Sequence, residues 1–391
     1  MIEPQHQPPL APAADIQVGT GPHQPALDGI RGIAILMVIL FHAGHFGNFR
    51  PVTRLGMYAN MLISSGWIGV DLFFVLSGFL ITGILLRSRQ RPGYFRNFYA
   101  RRALRIFPLY YAAILAFVVV MPSIKFAGPI PNKVILLTAS YTVNLAIAFH
   151  GWTAIPPEMQ HFWTLAIEEQ FYLMWPLLVY LLTRKRMVLL CAAIMAIAPL
   201  LRWWFESQQN LTAMFTFTLC RIDTLALGGL VALLTQRKAA PPVHKWILWS
   251  TGAVAAGGLL TEFIGSGGLH FGSPVMAIIG FSLVAWLSGL LIVGVTWFPG
   301  GKWARIYSSP PLRLLGKYSY GLYICHQPVM LALRIVHCDI NTLRRWLPLE
   351  VVAYIAFAAL SLLCSVVVAL VTWHLIEAPC LKLKRFFEYA A

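Results

Sequence analysis

The sequence predicts an all-α integral membrane protein, a bundle of about ten transmembrane helices, on three observations. Of its 391 residues, 58% are hydrophobic and only 11% charged, whereas a soluble domain carries about 45–50% apolar and about 25% charged residues. Mean hydropathy is +0.70. Apolar stretches long enough to cross a bilayer, about 17–25 residues each, recur near 28–47, 62–86, 104–121, 162–183, 187–204, 217–236, 246–264, 275–297, 318–336 and 350–378.

Residues 1–26 stand apart. "MIEPQHQPPLAPAADIQVGTGPHQPA" is rich in Pro and Gln and lacks a basic segment followed by an apolar one. It is read as a disordered cytoplasmic tail, not a signal peptide, ahead of one membrane domain over 27–391. The first span, "LDGIRGIAILMVILFHAGHF", carries Arg31 and His42 eleven residues apart. Eleven steps of 100° make three turns plus roughly 20°, so both lie on one face, about 16–17 Å apart along the axis.

The stretch 134–150 decides the topology. It is short and carries Thr138, Ser140, Thr142 and Asn144. With the N-terminus inside and 134–150 not crossing, the inside connections hold 20 Lys/Arg and the outside ones 7; if it crosses, the counts become 10 and 17. Only the first arrangement obeys the positive-inside rule. The expectation is therefore a multi-pass membrane protein of ten spans with both termini cytoplasmic. The 134–150 segment becomes a re-entrant or interfacial piece packed within protein.

The formal charge of +16 does not point to nucleic acid, because its basic residues gather in short loops between apolar segments. The six cysteines are scattered singly, without metal-type spacing, so neither a metal site nor a disulfide framework is expected.

Ionisable groups inside spans cost several kcal/mol and usually face a partner or cavity. Here they are His42, Asp71, Glu168, Glu169, Arg221, Asp223 and His326, with Arg31 and the loop arginines Arg96, Arg101, Arg102 and Arg105 towards the inner face. The pattern is a polar path with a cationic cytoplasmic mouth. Guanidinium forks pair with phosphates, and histidine beside carboxylates suits general base work. Blander readings stand beside these. The loop arginines also serve as topology signals, Arg221 and Asp223 as a mutually neutralising pair, and His374 and Glu377 as snorkelling groups. His45 reads as lining the outer mouth.

These residues resemble the acyltransferase-3 family of multi-pass membrane acyltransferases, from Leu27 to about Pro379. Six blocks occur in family order: "LDGIRGIAILMVILFH", "GVDLFFVLSGFLIT", "FYARRALRIFPLYY", "FWTLAIEEQFYLMWP", "GKYSYGLYICHQPV" and the terminal "IEAP". The resemblance implies transfer of an acyl group, often acetyl, from cytoplasmic acyl-CoA to a hydroxyl. Family acceptors are sugars of surface polysaccharide, peptidoglycan, lipid-linked glycans or Nod factors, and sometimes macrolides. It further implies His42 and Arg31 as the key pair, Arg101, Arg102 and Arg105 as donor-binding residues, and Glu168 as the acidic position, with Glu169 beside it. Some relatives append an SGNH-type extracytoplasmic domain. The chain ends at Ala391, so the expectation is a form without that domain, the bundle acting alone or with a separate extracytoplasmic transferase.

The expected mechanism docks acyl-CoA phosphates on Arg31, Arg101, Arg102 and Arg105 and runs the thioester up to His42. His42 acts as base, oriented by Glu168 or Asp71, and His326, Glu169 and Tyr172 contact the substrates. A covalent acyl-histidine stays open. Two rivals remain: acylation of a small metabolite such as a macrolide, and a transporter without acyl transfer. Against the transporter, no inverted repeat relates the two halves.

Overall fold

A computed structural model describes residues 24–123, 128–235 and 242–388. The expected disordered tail lies, apart from residues 24–26, outside the described residues. The rest is all-helical. Each of the ten apolar stretches is a helix: α1 (Pro25–Phe46), α2 (Ile68–Ser88), α3 (Tyr94–Leu115), α4 (Phe162–Leu181), α5 (Arg184–Ser207), α6 (Thr218–Thr235), α7 (Pro242–Gly265), α8 (Phe281–Trp297), α9 (Ser319–Ile335) and α10 (Glu350–Thr372). Among the described residues eight helical stretches are long and apolar enough to cross a membrane. α4, with Glu168, Glu169 and Gln170 at its middle, and α9, of 17 residues, fall outside that eight.

α2 and α6 form the most extensive helix pair. Glycine makes it possible: a Cβ on Gly78 would lie 2.0 Å from the Leu225 carbonyl oxygen, and one on Gly228 would lie 2.0 Å from that of Val75. Such small-residue contacts let backbones approach where lipid gives no hydrophobic drive. α1 packs against α2 and α9 and, at its N-terminal end, against the short helix Pro310–Lys317. The helices' outer faces present apolar side chains such as Leu173, Leu189, Leu200, Val254, Leu363 and Val371, as a bilayer requires.

The 134–150 stretch is broken into Asn132–Ala139 and Val143–His150, eight residues each, or about 12 Å apiece at 1.5 Å per residue. Neither half could reach across about 30 Å of hydrocarbon. The break falls at Tyr141, whose φ of 54° is uncommon for a non-glycine residue. Its ring stacks on Tyr110 with centroids 4.3 Å apart. Gln170 donates to the Tyr141 carbonyl (2.8 Å) and to Asn144 Oδ1 (3.0 Å), and Asn144 donates to Thr218 Oγ1 (2.9 Å). The polar residues that shortened the apolar run are thus satisfied by protein, as irregular backbone at membrane depth must be.

The expected Arg221–Asp223 pair is not what forms. Arg221 bonds Asp71 at 2.7 Å, and Asp223 bonds Arg202 at 3.0 Å. Residues two apart on a helix face different directions, so each finds its partner on a neighbouring helix. Arg202 lies within α5 and is fully buried.

Candidate active site

α1, α2, α3, α4 and α9 converge on a cavity of about 130 Å3. Helical spacing supplies its lining. Arg102 and Arg105 (i, i+3) project from α3, Glu168 and Tyr172 (i, i+4) from α4, and Tyr320 and Tyr323 (i, i+3) from α9; such spacings put side chains on one face. Arg31 enters from α1, Ser77 from α2, and Glu169 from α4.

The cations here are incompletely neutralised. Arg31 bonds Asp28 one turn away at 2.8 Å. Among the described residues Arg102 and Arg105 have neither ion pair nor hydrogen bond. Arg102 lies over the Tyr172 ring at 5.7 Å and the Phe98 ring at 6.0 Å. Tyr172 is fixed in turn by a 2.5 Å contact between its hydroxyl and Ser77 Oγ. Glu169 keeps a buried Oε1 without a partner. Lys384, in the turn Leu383–Phe387, lies near Arg105, Arg102 and Arg101, and its burial together with their charges pushes its amine down to about 6. Arg102 and Arg105, with Glu168 and Glu169 in the same cavity but no direct ion pair to them, are free to fork onto an anion with several oxygens.

The histidines gather separately. His326 Nε2 lies 3.2 Å from His42 Nδ1, and the rings of His161 and His326 are 5.3 Å apart. Hydrogen bonds assign the protons. His326 Nδ1 faces the Tyr323 carbonyl at 2.8 Å and must donate, which leaves the neutral ring's Nε2 as an acceptor. His42 Nδ1 faces both that acceptor and the Val38 carbonyl at 2.9 Å, so it carries the proton. His42 Nε2 is left with a lone pair. His161 meets the Ile324 carbonyl through Nε2 (3.2 Å) and the Gln327 amide through Nδ1 (3.0 Å).

Tyr323 joins the two groups. It lines the cavity, its hydroxyl bonds Thr164 at 2.6 Å and the His161 carbonyl at 2.9 Å, and its own carbonyl receives His326.

Six expected residues thus come together at the cavity: Arg31, Arg102, Arg105, Glu168, Glu169 and Tyr172. His42 and His326 meet each other instead. Two expected residues go elsewhere. Arg101 reaches the backbone carbonyls of Lys384 and Phe387, both at 3.4 Å, and is absent from the cavity wall. Asp71, expected beside His42, is bonded to Arg221 because a buried guanidinium needs a carboxylate more than a neutral ring does. His161, Gln327, Tyr323, Ser77 and Lys384 were not singled out from sequence. Only "CHQPV" held a hint, since Gln327 directly follows His326. Among the described residues no three His, Cys, Asp or Glu side chains are grouped to hold a metal ion.

A family model described as an acyltransferase domain matches residues 24–373. The peptidoglycan O-acetyltransferase OatA of Listeria monocytogenes is 30% identical over 335 residues, covering 78% of this chain and 49% of that protein. A putative O-acetyltransferase of Staphylococcus aureus strain MSSA476 is 27% identical, covering 91% of this chain and 57% of the relative. The O-acetyltransferase OatA of S. aureus strain NCTC 8325 is 26% identical, over 94% of this chain and 58% of its own length. The chain spans about half the length of the curated relatives it matches. No solved structure matches it.

Proposed function

The chain belongs to the family of this acyltransferase domain, and from that premise we propose that it is a membrane O-acetyltransferase of the bacterial cytoplasmic membrane. It moves an acetyl group from cytoplasmic acetyl-CoA to a sugar hydroxyl of a surface glycan. The names of the relatives support acetyl and a cell-wall acceptor.

The reading rests on the proton placement at His42, whose Nδ1 faces Val38 and His326 and whose Nε2 is unprotonated. Acetyl-CoA docks its phosphates on Arg102 and Arg105, neither of which has an ion-pair partner among the described residues, with Arg31 beside them and Arg101 at the rim. Glu168 and Glu169 face Arg102 and offset its charge when the donor is absent. Tyr172 holds Arg102 by its ring. The pantetheine arm then passes Tyr323 towards His42.

The acceptor hydroxyl gives its proton to His42 Nε2 while its oxygen attacks the thioester carbonyl carbon. Collapse of the tetrahedral intermediate breaks the carbon–sulfur bond, and the imidazolium returns the proton to the leaving CoA thiolate. His326 serves as a positioning residue that fixes the tautomer, the part first considered for Glu168 or Asp71. General base catalysis of this kind contributes about 100- to 10,000-fold.

The test is acetyl transfer from radiolabelled acetyl-CoA by purified protein in nanodiscs. His42→Ala should fall by that factor while binding acetyl-CoA normally. Near-normal transfer by His42→Ala would end this mechanism.

A further inference from the structure

The end of the bundle opposite Arg31 is also cationic, and no step above uses it. α1 ends at Phe46, and His45 is exposed one turn beyond His42. Five arginines surround this end. Arg334, exposed in the last turn of α9, is the charged neighbour of His45. Arg50 follows α1 and bonds Asn48 at 3.1 Å, and Arg54 opens the helix Arg54–Ser64. Arg344 and Arg345 follow the turn Ile340–Leu343. That turn is seated on α1's end, where a Cβ on Gly47 would lie 2.6 Å from Ile340.

The acids nearby are already engaged. Asp339 accepts the Thr342 N–H at 2.8 Å. Glu350 takes the N–H groups of Val52 and Thr53, both at 2.9 Å, and the Thr53 hydroxyl at 2.6 Å. None of the five arginines has an ion-pair partner among the described residues. Under the topology read from the charges this is the translocated face, where basic residues are depleted, so the cluster opposes the insertion bias. All five are arginine and none lysine, the choice for forked recognition of carboxylate or phosphate.

We propose that this cluster binds the acceptor through its negative charge. The acceptor is an anionic glycan, bearing carboxylates or phosphodiesters, held on Arg334, Arg344 and Arg345 so that a hydroxyl reaches His42 past His45. This rests on the reading of His42 as the base.

The test measures binding and transfer separately, in a neutral detergent. Titration calorimetry compares an N-acetylglucosamine–N-acetylmuramic acid oligomer, its carboxyl methyl ester, and a glycerol-phosphate oligomer. The wild type should bind one of the anionic probes at least about tenfold better than the neutral ester. The double variant Arg344→Gln/Arg345→Gln should lose that preference, while Arg313→Gln, at an exposed arginine on Pro310–Lys317, should keep it. Preference for the carboxylate or for the phosphodiester names the anion. Equal binding of all three probes overturns the proposal. So does a preference that survives in the double variant, or an effect of that variant that appears only with anionic phospholipid vesicles, which would assign the cluster to headgroups. Because binding is read without turnover, absent transfer with intact preference would fail the acetyltransferase reading alone.

Discussion

His326 Nε2 stands 3.2 Å from Nδ1 of His42, two residues 284 positions apart in sequence that share one proton's placement. If that contact fixes the tautomer of the base, its loss must show in turnover and not in donor affinity. His326→Ala is expected to lower kcat about 10- to 100-fold, a part of the range for general base catalysis, with the KM for acetyl-CoA unchanged. His326→Gln, whose carbonyl oxygen can still accept from Nδ1–H, should recover part of the rate. Steady-state kinetics in nanodiscs decide it, and an equal loss in both variants would leave His326 a packing role only.

The arginines divide by their surroundings. Arg102 and Arg105 line the cavity without ion pairs among the described residues, whereas Arg101 leans on the carbonyls of Lys384 and Phe387. Arg102→Gln and Arg105→Gln should each raise the KM for acetyl-CoA about 10- to 100-fold, the worth of one charge-assisted hydrogen bond. Arg101→Gln should raise it by a few-fold at most. Equal effects at all three positions would remove the distinction.

Asp71 is expected to act on stability. Asp71→Asn leaves Arg221 buried without its counter-charge, which costs about 3–5 kcal/mol. The variant should melt earlier in a thermal-shift assay in detergent. Asp71→Asn with Arg221→Met removes the stranded charge and should regain most of the loss.

Two glycines give opposite expectations. A Cβ on Gly78 would sit 2.0 Å from a backbone oxygen of α6, while one on Gly257 in α7 meets nothing within 4 Å. Gly78→Ala must push α2 from α6 and should lower both yield and melting temperature. Gly257→Ala should be neutral or stabilising by about 0.5–1 kcal/mol, since glycine weakens a helix interior by that amount relative to alanine. Fluorescence size-exclusion of the two variants provides the comparison.

The sequence was most legible where one helix sufficed. A span must be predominantly apolar, so the ten stretches could be located as helices, eight of them in stretches long and apolar enough to cross among the described residues, and the polar interruptions of 134–150 marked a segment that breaks at Tyr141. The shared stripe of Arg31 and His42 followed from 100° per residue. Relationships between helices were not legible. Helical geometry rules out Asp223, two residues later, as the partner of Arg221, but nothing local points to Asp71, 150 residues earlier. His161 sits at the start of α4 with no motif that marks it, and only the packing of α4 on α9 brings it to His326. Arg101 and Arg102 are adjacent in sequence, yet only the packed structure shows that Arg102 lines the cavity while Arg101 meets the carbonyls of Lys384 and Phe387.

The crossed ion pairs of α6 also bear on how the protein is made. Translated into lipid by itself, α6 would carry both Arg221 and Asp223 into the membrane, where such a charge costs up to about 2.5–3.5 kcal/mol at a helix centre. Their partners, Asp71 on α2 and Arg202 on α5, precede them in the chain. Both are therefore synthesised before α6 leaves the ribosome, and the sixth helix enters the membrane against neighbours that already hold its counter-charges. Reversing that order, by circular permutation that places α6 first, would ask the insertion machinery to accept two unpaired charges at once.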